Sequence, residues 1–239
     1  METGDKVFLV ANSEALSCYF VGGGATVLCF IPEGAIDTVY LFLADLSFND
    51  GYRMIDTAKD VMVSAYNLSK ENKYLPKIEF LNRAFVEGEE LNKDCNVYKM
   101  KFYKDLSPSD KKAWIDMKIL HKLRADGMRE VLDDYRKKTG KPASLTFLGS
   151  EAAKRTVSLA RTKLKKNKEM VQALESLYAG ICSQSDPSLT FEFNKRNVGV
   201  DEDGHLIMRD PVYSADITVR IKADRAENRR IRRKNEKEK

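Results

Sequence analysis

Glu192, Asn197 and Asp210 set three oxygen-bearing side chains within one short stretch, Phe191 to Val212, of a 239-residue chain. Between the amide and the second carboxylate lie two apolar runs, Val198 to Val200 and Leu206 to Met208, separated by Asp203-Gly204. A tight turn between two such runs makes a β-hairpin. That hairpin brings Asn197, before its first strand, and Asp210, after its second, to the same end. Two oxygen ligands held side by side suit a hard cation such as Mg²⁺, and a nearby acid, Glu192, can orient an attacking hydroxyl. The chemistry of that set is phosphoryl transfer. Its rival is turn chemistry, because Asn before a strand and Asp before Pro211 both stabilise loops through side-chain to backbone hydrogen bonds. Glu192, between Phe191 and Phe193, also fits the solvent side of an alternating segment.

The elements that must position these residues fall into two groups. Val7 to Val10, Ser17 to Val21, Thr26 to Ile31 and Thr38 to Leu43 are short β-branched and aromatic runs divided by Asn-Ser, Gly-Gly-Gly and Pro-Glu-Gly signals, and they predict an antiparallel sheet. Gly22, Gly23 and Gly24 precede no helix start and no Gly-Lys-Ser/Thr, so a hairpin turn is favoured over a phosphate-cradling loop. From Ile55 to Ser69 the apolar spacing becomes helical, with Asn49 or Asp56 able to cap its approach. Ile78 to Leu81, a polar loop around Gly88 and the alternating run Val97 to Tyr103 complete a small lobe of five or so strands and one helix. Ser107-Pro-Ser-Asp110 then opens a helix to Ala125. Further helices are expected at Gly127 to Thr139, Ser150 to Lys165 and Lys168 to Ser183, with the hairpin as the one β element of the second half.

This order resembles a protein kinase. More narrowly, Phe191-Glu-Phe-Asn-Lys-Arg-Asn-Val-Gly199 with Leu206-Ile-Met-Arg-Asp-Pro-Val212 resembles the catalytic segment of the early serine/threonine protein kinases of T-odd bacteriophages, and the interval of thirteen positions from Asn197 to Asp210 agrees with that family's spacing. Tyr74-Leu-Pro-Lys-Ile78 and the basic segment from Ile217 onward resemble it more weakly. The resemblance implies a two-lobed α+β fold: a kinase-like sheet lobe over 1–103, a helical lobe with the metal-site-like hairpin over 104–216, and a basic helical tail over 217–239. It also implies Glu192 as catalytic base, Asn197 and Asp210 as Mg²⁺ ligands, ATP as nucleotide, and a host protein as target, the transcription machinery being one such class.

Departures from the family are specific. Glu192 stands in place of Asp, and its extra methylene displaces the carboxylate by about 1.5 Å. Asn194 replaces a His. Neither Val39-Tyr-Leu-Phe-Leu43 nor Val27-Leu-Cys-Phe30 offers the strand lysine that holds nucleotide phosphates, and the candidate covering loop Ala11 to Leu16 has no glycine. On the helix that would pair with that lysine, Asp60 is the plausible acid.

Charge separates the body from the tail. The formal net charge is +5, yet residues 220–239 hold ten Lys/Arg against four Asp/Glu, a net +6 that leaves 1–219 at −1. Arg225, Arg229, Arg230, Arg232 and Arg233 have no aromatic residue among them, which favours contact with phosphate backbones or an acidic protein surface over base reading. Cys18, Cys29, Cys95 and Cys182 show no metal-ligand spacing and read as small buried apolar residues. The acidic, polar start and the lack of a long apolar run predict a protein of the cytoplasm rather than of a membrane. His121 and His205 show no partner in the sequence.

Three functional readings follow. The favoured one is a pseudokinase of phage type that binds a host protein. The others are an active serine/threonine kinase transferring the γ-phosphoryl group of ATP, and a nucleic-acid-associated protein that works through its basic tail.

Overall fold

A computed structural model describes residues 2–11, 14–23, 27–44, 46–47, 51, 53–54, 57–87 and 93–237. The first half holds β1 (Lys6–Ala11), β2 (Glu14–Gly23), β3 (Leu28–Pro32), β4 (Thr38–Ala44), the two-residue β5 (Leu46–Ser47) and β6 (Arg53–Met54), α1 (Ala58–Leu68), β7 (Ile78–Glu87) and β8 (Lys93–Lys101). The second holds β9 (Lys104–Asp105), α2 (Lys111–Thr139), α3 (Leu145–Lys163), α4 (Lys168–Cys182), β10 (Leu189–Phe191), β11 (Gly199–Val200), β12 (Leu206–Ile207), β13 (Val212–Ser214) and α5 (Ala215–Lys237). The chain is mixed α+β, as expected. Ile55, the proposed caps Asn49 and Asp56, and the loop around Gly88 lie outside the described residues.

Six strands close into a barrel in the order β1-β2-β3-β4-β8-β7, where a small sheet of about five strands was expected. Closure comes from β1 against β7, with Phe8 opposite Glu87, Leu9 opposite Val86 and Val10 opposite Phe85. It requires β7 and β8 to run well past their apolar cores, through Asn82-Arg83 on one and Lys93-Asp94 on the other. Polar residues interrupt a strand's hydrophobic run wherever its outer face meets water, so the sequence signal faded there while pairing continued.

Inside the barrel, Val7, Leu9, Cys18, Phe30, Phe42, Ala84, Cys95 and Val97 form one core, with Phe30 stacked on Phe42 at 4.4 Å. On the outer face Val39, Leu41, Leu43, Ile78, Tyr98 and Met100 pack with Met62 of α1 and Ile207 of β12. β4 is therefore apolar on both faces, which is why it reads Val39-Tyr-Leu-Phe-Leu43 without a charge. Burial holds the Cys18 thiol at a pKa of about 12. None of the four cysteines forms a disulfide; Cys18 and Cys95 are buried as expected, whereas Cys29 is half-buried and Cys182 is exposed.

The largest core joins α1 to α2, α3, α4 and the hairpin, with Val61 and Ala65 of α1 among Leu120, Leu174, Leu177, Phe191 and Met208. Thus α1 is shared: one side serves the barrel and the other serves the helices. Where a break was expected near Gly127, α2 runs unbroken from Lys111 to Thr139. Gly127 there permits a close helix crossing, since a Cβ at this position would lie 2.7 Å from the Thr156 Oγ1 of α3. α3 starts earlier than expected, because the Ser144 side chain caps it by accepting from the Thr146 N–H. The second half also contains β9, β10 and β13 besides the hairpin strands.

Tyr74 clasps these parts together. Its hydroxyl donates to Asp116 Oδ2 at 3.3 Å and accepts from Asn167 Nδ2 at 2.8 Å, while its carbonyl accepts from the Met208 N–H at 2.8 Å. Burial pushes the Asp116 carboxyl above its ordinary value of 3.8, against the lowering pull of the Tyr74 hydroxyl, Lys112, Lys73 and His205. With the folded pKa above the unfolded one, the folded chain keeps a proton that the unfolded chain has released. Stability therefore falls as pH rises from 3.8 through the folded value. Asp116→Asn keeps an acceptor for Tyr74 and removes the titration. The Tm difference, variant minus wild type, should grow more positive as pH rises from about 4; a difference constant with pH contradicts this.

Candidate functional site

β10 and β13 pair antiparallel, with Leu189 opposite Ser214 and Phe191 opposite Val212. Two backbone bonds continue that ladder: the Glu192 N–H donates to the Pro211 carbonyl, and the Asp210 N–H donates to the Asn197 carbonyl, each at 2.8 Å. Between them β11 and β12 form the expected hairpin, Gly199 opposite Ile207 and Val200 opposite Leu206, and β9 flanks β11. The turn is wider than Asp203-Gly204 alone. The Asp201 Oδ1 accepts from the Asp203 N–H at 3.0 Å and the His205 N–H at 2.8 Å, and Gly204 takes the left-handed φ of 76°. His205 does have a partner, its Nδ1 lying 3.2 Å from Asp201 Oδ2.

Glu192, Asn197 and Asp210 thus meet at one end of the hairpin. The Asn197 Nδ2 donates to Glu192 Oε2 at 2.9 Å, which leaves the amide oxygen as its remaining acceptor. Asn194 fixes the loop between them, its Oδ1 accepting from the N–H groups of Arg196 at 2.8 Å and Asn197 at 3.2 Å. Glu192 is half-buried between the fully buried rings of Phe191 and Phe193, which stack at 5.4 Å.

Lys59 adds a cation to this cluster. Its side chain is 3% exposed and its ammonium forms an ion pair with the Asp210 carboxylate, whose side chain is 37% exposed. Its other contact is the Met62 sulfur at 3.8 Å. An ammonium carries three donors, and among the described residues Asp210 is the one oxygen acceptor it meets. Opposite stands Cys29 of β3: burial raises its thiol pKa, and it also senses Lys59, Asp210 and Arg209. The cluster therefore lies between the barrel and the hairpin.

Asp60 does not face Lys59's partner. It accepts from the Tyr98 hydroxyl of β8 at 2.6 Å and so ties α1 to the barrel. The bracing of the site comes from residues that sequence reasoning missed. On α2, the His121 Nδ1 lies 2.9 Å from the Phe193 carbonyl and the Arg124 Nε donates to the Phe191 carbonyl at 3.0 Å. Arg209 donates to the Tyr103 and Arg196 carbonyls at 3.3 and 3.0 Å and pairs with Asp105 at 2.9 Å. Lys59 was findable, since it precedes Met62 by three positions and Val63 by four, which places it on the buried face of the helix.

Arg225, Arg229, Arg230, Arg232 and Arg233 are brought to a different place. All five are exposed on α5, and none is bonded to the cluster. No helix among the described residues is long and apolar enough to cross a membrane. A scan of protein-family models and a search of curated proteins each found no match.

Proposed function

We propose that this chain is a kinase-like, nucleotide-binding protein whose phosphoryl transfer is suppressed, acting in the cytoplasm on a partner protein. In the phage setting that the sequence resemblance implies, the partner is a host protein such as a component of the transcription machinery. The observation that carries the reading is the cluster of Lys59, Glu192, Asn197 and Asp210: two oxygen donors and an acid at one hairpin end, with a buried ammonium across from them. On this reading the barrel is the sheet lobe, α2 to α4 form the helical lobe, and Lys59 supplies from α1 the cation that β4 lacks.

The donors fit a magnesium ion in part. Asn197 retains its amide oxygen and Asp210 its second carboxylate oxygen, a sparse set of the sort that Mg²⁺ completes with water and phosphate. Bound together with a nucleotide, the ion would supply charge neutralisation of the phosphates. The chain's own residues do the rest: Asn197 and Asp210 orient, and Lys59 attracts the anion. Suppressed transfer is supported by Glu192, whose longer side chain is tied to Asn197 and so is poorly placed to take a hydroxyl proton. Misplacement of about 1 Å costs on the order of 10²-fold in sensitive cases.

The active serine/threonine kinase is the second reading, and the observation that favours it is again Lys59, because the cation missing from the strand is present from the helix. Melting with ATP and Mg²⁺, together with a label-transfer assay from γ-labelled ATP to the chain and to added proteins, separates the two. The proposed reading expects a raised Tm without transfer. Transfer that Glu192→Gln abolishes supports the active kinase, and an unchanged Tm contradicts both.

A further inference from the structure

We infer that α5 is a docking surface for duplex nucleic acid, gripped through its phosphates by one stripe of the helix. At about 100° per residue, Lys222, Arg225, Arg229, Arg232 and Arg233 fall on one face about 100° wide. At 1.5 Å per residue the stripe is about 16 Å long, and it ends one turn on at Glu236. All five side chains are exposed. The face that docks on the body is a different one: Ile217 is buried, Ile221, Asp224 and Glu227 are half-buried, and α5 packs on α3. From Asn228 to Arg233 every residue is exposed, so this part of the helix stands clear of the body.

Pairing distinguishes the stripe from the arginines that α2 and α3 expose. On α2 and α3, Arg129, Arg136, Arg155, Arg161 and Lys163 each lie within 3.1 Å of a carboxylate. Among the described residues no carboxylate pairs with any of the five side chains on α5. They are a row of cations without a carboxylate partner among the described residues: Lys222, Arg225, Arg229 and Arg232 follow one another at three or four residues, each step about 4.5–6 Å, and Arg233 adjoins the last.

The chemistry selects the occupant. A protein partner would need an apolar centre to the interface, and the stripe has none: Val219 and Ile231, the exposed large apolar residues of α5, lie off it. Single strands are held largely by stacking on aromatic rings, and α5 contains no aromatic residue. What remains is charge against charge on a regular lattice, where arginine forks match phosphate oxygens. A helix about 10–12 Å across with its side chains also suits a major groove about 12 Å wide. Binding of this kind is independent of base sequence.

The test is fluorescence anisotropy of the full chain with a labelled 20-base-pair duplex of arbitrary sequence, across a salt series. Arg225→Gln/Arg229→Gln/Arg232→Gln should weaken binding at least about tenfold at low salt and flatten the slope of log K against log salt by about 2.7, or 0.9 for each lost phosphate contact. Arg136→Gln/Arg155→Gln/Arg161→Gln removes the same charge from paired positions and should change neither by more than about twofold. Because the three stripe residues are exposed, the helical circular dichroism and Tm should be unchanged, so lost binding is not lost folding. Equal weakening by both triples reduces the effect to net charge and overturns the inference. So does the absence of duplex binding, equal affinity for a single strand, or displacement by polyglutamate at equal charge, the last pointing to an acidic protein instead. The outcome is independent of whether the Lys59–Asp210 site binds nucleotide.

Discussion

Asp210→Ala is expected to cost the fold about 3–5 kcal/mol, while Lys59→Met should cost about 1 kcal/mol or less, although both break the same ion pair. The asymmetry follows from burial. Removing Asp210 strands an ammonium that is 3% exposed, whereas removing Lys59 leaves a carboxylate that is 37% exposed and can be hydrated. Methionine nearly matches the lysine stem and joins Met62 and the apolar face of α1, so it leaves little cavity. The double variant Lys59→Met/Asp210→Ala should then recover most of the stability lost by Asp210→Ala alone, a coupling that urea denaturation of the four proteins measures directly. Equal costs for the two single variants, or additive costs in the double, would mean that Lys59 does not depend on Asp210.

Phe191→Ala is the second large effect, about 3–5 kcal/mol. The ring is fully buried in the core shared by α1, α2, α4 and the hairpin, stacks on Phe193, and sits in register with Val212. Its carbonyl is the one that Arg124 holds. Truncation leaves a cavity directly behind Glu192, so the loss reaches both the fold and the geometry of the site. Phe191→Leu fills most of that space and should cost less than about 1.5 kcal/mol. A shift in the urea midpoint at constant m value would identify the loss as stability, and similar costs for the two variants would place the ring outside the tight core.

These two residues also show what the sequence displayed and what it hid. The hairpin was legible because its signals are local: two apolar runs, Asp203-Gly204, and Pro211 after Asp210. The approach of Asn197 to Asp210 followed from that hairpin alone, whereas Glu192 is held beside them by the pairing of β10 with β13, which the sequence did not display. Barrel closure was not legible, because β1 and β7 pair across more than seventy positions and no local pattern records it. Gly127 read as a helix break, since a glycine's role in a close crossing depends on a partner, Thr156, that only the fold supplies. Lys59 was passed over for its charge, although its position among Ala58, Val61, Met62 and Ala65 already placed it inward. β4 is apolar on both faces and has no room for a cation, so the lysine of the cluster comes from α1.

The measurement that tests the central claim most directly is thermal melting with ATP and Mg²⁺ on the wild-type chain and on Lys59→Met/Asp210→Ala, two proteins of similar intrinsic stability. At ligand about a hundredfold above Kd the wild type should gain about 2.7 kcal/mol, a rise in Tm of about 5–10 °C for a chain of this size, and the double variant should gain nothing measurable. A rise of the same size in both proteins would place any nucleotide elsewhere, and no rise in the wild type would mean that the cluster of Lys59, Glu192, Asn197 and Asp210 is not a nucleotide site.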